Sequence, residues 1–494
     1  MPSPAATPSA TPAPSDPPAQ TSLSTAPARS LAPDLARGLM LVLIAIANVS
    51  WLLWGQEGTV GMTPHVPAHG PLDTAVQAVM TIAVDHRAMP LFAFLFGYGM
   101  VQFHRSRLGR GISPQVVRVM LRRRHWAMLL LGLLHAALLF YGDILGAYGI
   151  AALLMVWIFF GRRTRTLVIW VCVLAGISAI FALFSILSAI MLTVFAPEGA
   201  AAPTTGPAAW GNDTFRDWAY ASPYLTGMGL RLLMWGTSLL PSALMAVPLP
   251  LLLGWIAARH RLLEEPWRHV RTLRRIMIGG IAIGWLTGLP DALLILGLIP
   301  LAPEASWGFA TLNTLGGVAC GVGYAAAFAL LAQRLERRPE VASEVADGGP
   351  DRAAMSRQER KALRAERAAQ QLALTPAERA VGVPADPAPP AGVTPPLLAR
   401  VIAAVGQRSL TFYLFQSVVL VPLMASWGLG LGPHLSTTAA IAIAIGVWLL
   451  SLPLAWLLHT RGMRGPAEKL LRRMTYGKLD PRGDLPIATA STSS

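Results

Sequence analysis

Long apolar runs alternate with short clusters of charge along the whole chain. A helix that crosses about 30 Å of hydrocarbon needs about 20 mostly apolar residues. Ten runs meet that need: roughly 38–56, 86–104, 124–141, 143–160, 166–195, 228–258, 273–299, 306–332, 408–427 and 436–459. Pro241, Pro248 and Pro250 interrupt the run 228–258 and predict a kinked or partly re-entrant segment. The runs within 124–160 are joined by almost no loop, which predicts a tight helical hairpin. The predicted fold class is all-α, a polytopic membrane protein of about ten transmembrane helices.

Composition supports this and narrows it. Of 494 residues, 54% are hydrophobic and 13% charged, about half the charged share of a soluble domain. The formal charge is +15. Its bases flank the spans, so the excess reflects membrane topology and calls for no nucleic acid partner. Loops rich in arginine (105–124, 162–165, 259–275, 461–478) alternate with base-poor ones (57–85, 196–227). The alternation predicts both termini in the cytoplasm and the base-poor loops outside. Cys172 and Cys320, both in apolar runs, are expected as small buried packing residues.

Residues 1–33 form a Pro/Ala/Ser/Thr-rich arm without the pattern of a signal peptide, so the first span is expected as an uncleaved anchor. Spans 1–8 occupy 34–332. A cytoplasmic insertion, 333–400, reads as a charged helix over 351–380 followed by a proline-rich linker. Spans 9 and 10 with a basic tail fill 401–480, and 481–494 is a disordered tail.

The chain carries no soluble-enzyme signature, so chemistry is sought among polar groups at membrane depth, each of which needs a partner or a cavity. Arg37 stands at the inner mouth of the first span, with Asn48 three helical turns deeper on the same face. His135 and Asp143 face one another across a tight turn near the outer surface, as a general base or as a staple of the hairpin. Arg87 enters the second span beside Asp85 and His86, suited to an anion or to a structural ion pair. Asp291 follows Pro290, where a broken helix can line a cavity. Gln416 is a ligand or a helix–helix hydrogen bond, and Gly317-x-x-x-Gly321 allows close packing. No histidines pair at metal-ligand spacing on a helix, and His65 and His69 share a Gly/Pro-rich loop.

Five ordered blocks carry a resemblance: Asp34-Leu-Ala-Arg37-Gly38 through Asn48; Leu91–Gly99; Gly132-Leu-Leu-His135 through Gly142-Asp143-Ile-Leu145; Gly406-Gln-Arg408 through Tyr413-Leu-Phe-Gln416-Ser417; and Gly465-Pro466-Ala-Glu468 through Gly477. In these the chain resembles the domain-of-unknown-function 418 family, the YeiB-like bacterial inner-membrane proteins. That family is distantly similar to the transmembrane acyltransferase superfamily, which moves acyl groups from a cytoplasmic donor to extracytoplasmic sugars. The bacterial members of that superfamily place a catalytic His where this chain has Asn48. The heparan-type acetyltransferases place Asn there and a His in the following outer loop, which corresponds to His65 or His69.

The resemblance implies acyl transfer to an envelope glycan or lipid from acyl-CoA or another acyl donor, with no permanently bound cofactor. His135, Asp143 and Asn48 are the catalytic candidates, with His65 and His69 as alternatives. Arg37, Arg87, Asp291 and Gln416 are the substrate-binding candidates. The predicted cavity opens outward, bordered by Asn48, His135 and Asp143. Transport of a small solute and non-catalytic envelope assembly are the rival readings.

Overall fold

The computed structural model describes residues 30–56, 63–195, 212–299, 303–336, 358 and 393–476. The terminal arms and nearly all of the 333–400 insertion, including the charged helix read over 351–380, lie outside the described residues. Fifteen α-helices are described: α1 Leu31–Val49, α2 Pro71–Ala83, α3 Ala88–Leu108, α4 Pro114–Leu138, α5 Leu145–Phe159, α6 Thr164–Phe195, α7 Asn212–Tyr220, α8 Tyr224–Pro241, α9 Pro248–Arg259, α10 Val270–Ile295, α11 Ala310–Glu336, α12 Leu397–Gly406, α13 Ser409–Met424, α14 Thr437–Thr460 and α15 Pro466–Tyr476. No strand occurs among the described residues.

Among the described residues, six helical units are long and apolar enough to cross a membrane, or seven if the bent pair α8–α9 is one span. The predicted kink in that pair is present. A π-helical stretch, Ser242–Ala246, joins the two helices, which are bent by 47°. α5 and α13 are apolar but have only 15 and 16 residues. At 1.5 Å per residue α5 covers about 22 Å, short of the ~30 Å of a hydrocarbon core. α4 is long enough, but its first half carries Arg118, Arg122, Arg123 and Arg124. The outward face of α6 carries bulky apolar side chains at high exposure, such as Ile180 and Phe184, as expected of a surface solvated by lipid.

Three expectations are corrected. The loop 57–85 contains α2, which runs into α3 through a short break at Val84–Arg87. The helix is stabilised by polar contacts that look like loop chemistry in sequence. Buried Asp73 accepts hydrogen bonds from the Thr438 N–H (2.7 Å) and hydroxyl (2.6 Å), and buried Gln77 donates to the Val66 carbonyl (2.9 Å). The loop 196–227 likewise contains α7. Cys172 is exposed on α6, whereas Cys320 is buried as expected.

Small residues let the helix backbones come together, the usual route to tight packing in lipid. A Cβ on Gly38 would stand 2.2 Å from the Ile402 carbonyl oxygen, and one on Gly406 would stand 1.8 Å from that of Asp34. These glycines clamp α1 onto α12. Gly97 and Gly254 do the same for α3 and α9. The predicted Gly317/Gly321 pair seats α11 against the α2–α3 break, where their Cβ atoms would meet the His86 carbonyl and Leu91 N.

The arginine-bearing ends of the helices collect at one end of the bundle. There Arg37 donates to Gln102 (3.2 Å), Gln102 donates to Glu264 (2.9 Å), and Glu264 pairs with Arg105 and Arg261. Burial pushes the neighbouring Glu265 carboxyl above its ordinary range, against the pull of Arg261 and Arg268. This basic end and the opposite, base-poor end carry different chemistry.

Candidate functional site

At the basic end α1, α3, α4, α13 and α15 enclose a cavity of about 480 Å³. Arg37, Arg107, Arg124, Arg408, Arg464 and Arg472 line it against a single carboxylate, Glu468. That carboxylate is committed to the protein. It accepts from the N–H groups of Leu410 (2.9 Å) and Thr411 (3.1 Å) and from the Thr411 hydroxyl, capping the exposed first turn of α13. Aromatic rings fix several of the guanidinium groups. Arg107 lies 5.0 Å from the Phe103 ring centroid and 5.3 Å from that of Tyr476, and Arg472 lies 4.7 Å from Tyr476. Arg408 instead donates to the carbonyls of Met463 and Ala404, tying α13 to the chain ahead of α15. A concave space with this excess of guanidinium groups suits a ligand bearing several negative charges.

Tyr413 and Leu145 also line this cavity. The Tyr413 ring centroid lies 5.2 Å from that of His135, and its hydroxyl accepts from the Ile144 N–H at 3.5 Å. Buried His135 meets buried Asp143 through Nδ1 and Oδ1 at 2.8 Å. The other Asp143 oxygen accepts from the Gly146 N–H at 2.9 Å. A Cβ at Gly132 would stand 2.4 Å from that oxygen, so glycine is what lets the turn fold this close to α4. The carboxylate fixes the imidazole orientation, and Nε2 remains buried without a hydrogen-bond partner. The pair is therefore buried within the bundle at the α4–α5 turn, with the His135 ring beside Tyr413 of the cavity wall.

At the other candidate positions the arrangement is different. Arg87 is fully buried beside the α2–α3 break and donates to Asn313 Oδ1 and to the Gly284 and Asp85 carbonyls. Asn313 in turn donates to Asp291 at 2.7 Å, so the amide bridges the guanidinium and the carboxylate across three helical units. His65, completely buried, meets Asp85 at 2.8 Å. His69 is exposed and meets Gln56 at 3.2 Å. Gln416 donates to the Leu41 carbonyl at 3.0 Å, the helix–helix bond that sequence offered as its alternative role.

Of the nine sequence candidates, only Arg37 lines the arginine cavity; Asn48, His135 and Asp143 do not. The cavity at the basic end is thus not the outward-opening one expected to be bordered by those three. Chain direction gave the height of each residue but not which helices stand beside it. In the sequence Arg107, Arg124, Arg464 and Arg472 read as topology markers, and nothing there gives Tyr413 a role. The available signal was the presence of Tyr413, Arg408, Glu468 and Arg472 in two of the ordered blocks.

Residues 257–356 and 392–478 match the family model described as protein of unknown function (DUF418). This bears out the expected resemblance over α10, α11 and α12–α15. The blocks containing Arg37, His135 and Asp143 lie outside the matched segments. The chain is also similar to the uncharacterised protein YxaH of Bacillus subtilis (strain 168), at 29% identity over 231 residues. That match covers 43% of this chain and 52% of YxaH, so it spans about half the length of the relative.

Proposed function

We propose that this protein is a multipass plasma-membrane acyltransferase that moves an acyl group from a phosphorylated donor onto an envelope glycan or lipid. The observation that carries the reading is the arginine-lined cavity whose wall, Tyr413, contacts the buried His135–Asp143 pair. The donor's phosphates bind the cavity arginines from the cytoplasm, as an acyl-CoA would. His135 Nε2 takes the proton of the acceptor hydroxyl, whose oxygen attacks the acyl carbonyl. The tetrahedral oxyanion then collapses, the bond to the donor breaks, and the imidazolium returns the proton to the leaving group. Asp143 holds the imidazole tautomer and offsets its charge. In this reading both termini and the arginine-rich basic end face the cytoplasm, as the distribution of bases between the loops supports.

The test compares envelope lipids and glycans by mass spectrometry, with and without the gene, then after complementation by His135→Ala and His135→Gln. One acylated species is expected to vanish in the deletion and to stay absent in both variants at normal abundance. Activity in the Gln variant removes His135 as the base, because an amide cannot cycle a proton. An unchanged acyl profile with altered solute uptake favours transport, the reading to which the bent α8–α9 pair lends support. For topology, Met62→Cys and Pro350→Cys are placed separately in a background lacking Cys172 and Cys320. Only the first is expected to react with an impermeant reagent in intact cells.

A further inference from the structure

We infer that the groove between α4 and the α5–α6 turn binds an anionic glycerophospholipid of the leaflet at the basic end. The groove, about 890 Å³, shares no arginine with the donor cavity. Arg118 and Arg122 line it from α4, one helical turn apart, and Arg162 and Arg163 face them from the turn. No carboxylate lines it. Phe160 is packed under Arg118, whose guanidinium lies 5.0 Å from the ring centroid. The four guanidinium groups offer paired N–H donors that match the two free oxygens of a phosphodiester.

The identity of the ligand follows from what continues below the arginines. Every fourth residue of α4 forms one slanting ridge: Arg118, Arg122, Trp126, Leu130 and Leu134. The last three are 61%, 45% and 48% exposed. Trp157, 83% exposed, flanks the groove from α5. Guanidinium, indole and leucine thus succeed one another in the order of the phosphate, ester region and acyl chain of a lipid. A soluble phosphate would use only the top of this ladder. The inference is independent of the acyl-transfer reading, since it uses none of the same residues.

The experiment is native mass spectrometry of the detergent-purified full chain, titrated with phosphatidylglycerol or phosphatidylcholine. The variants are R118Q/R122Q/R163Q, the equally charged control R271Q/R274Q/R275Q, and W126S. All seven side chains are exposed, so folding is expected to survive. Wild type and control are expected to bind phosphatidylglycerol, and the groove variant to bind it about ten-fold or more weakly, since each arginine near an anionic headgroup adds to the attraction. W126S is expected to weaken binding without a charge change. Equal losses in groove variant and control overturn the site, as does unchanged binding in W126S. Displacement of the lipid by inorganic phosphate at matched concentration also overturns it, by assigning the groove to a soluble anion.

Discussion

The two ends of the bundle handle buried arginine in opposite ways. Near the base-poor end Arg87 is fully enclosed, and its guanidinium is spent on Asn313, Gly284 and Asp85, with Asp291 balancing charge through Asn313. At the basic end six arginines line one open space against a single carboxylate that is itself engaged in capping α13. Among them Arg107 keeps Nε and Nη1 without a hydrogen-bond partner. A charge in a low-dielectric interior persists when partners surround it, and in the first cluster three oxygen acceptors and a nearby carboxylate do so from within the fold, with only Arg87 Nε left without a hydrogen bond. The second gathers six guanidinium groups around one lining carboxylate, with Asp34 pairing Arg37 at 3.3 Å from outside the lining. Position at membrane depth is therefore a weaker sign of function than the balance of partners around the charge.

Arg87→Ala breaks the comparison most strongly. It leaves Asp291 buried without its counter-charge and is expected to cost about 3–5 kcal/mol, read as lost folded yield after detergent extraction. Yield near wild type would show that this cluster is not a structural clasp. Gly132→Ala is expected to cost about 1–3 kcal/mol, because its Cβ drives Asp143 off His135. A lowered unfolding temperature together with lost acyl transfer is the predicted signature.

R107Q/R124Q/R472Q sharpens the contrast from the other side. The folded yield is expected to hold, while protection from thermal unfolding by a polyphosphate such as coenzyme A falls about ten-fold in apparent affinity, or about 1.4 kcal/mol. Equal protection of wild type and variant would assign the arginines to topology alone. Gln416→Leu removes one helix–helix hydrogen bond at Leu41. Its expected cost is about 0.6 kcal/mol, with activity retained. A large loss of activity at full stability would return Gln416 to the list of ligands.

Apolar runs and base clusters were enough to predict an all-helical membrane protein, because hydrocarbon admits few other solutions and each run must satisfy its own backbone. The kinked α8–α9 segment was legible from its prolines, and the His135–Asp143 pair from two side chains eight residues apart across a turn. α2 was not legible, because Asp73 and Gln77 look like loop residues until Thr437 and Thr438 of α14 stand against them.

The arginine cavity was hidden for the same reason. Its walls come from α1, α3 and α4 near one end of the sequence and from α13 and α15 more than 250 residues later, and each arginine alone is indistinguishable from a positive-inside marker. Sequence by itself determined what each segment must do with its own backbone and with the bilayer, since both are local balances of hydrogen bonding and transfer free energy. Only the tertiary structure decided which charges are matched one by one within the fold and which gather around a single cavity. That balance belongs to neighbours in space, and here the neighbours are set by glycines at 38, 97, 254 and 406 that let particular helices touch.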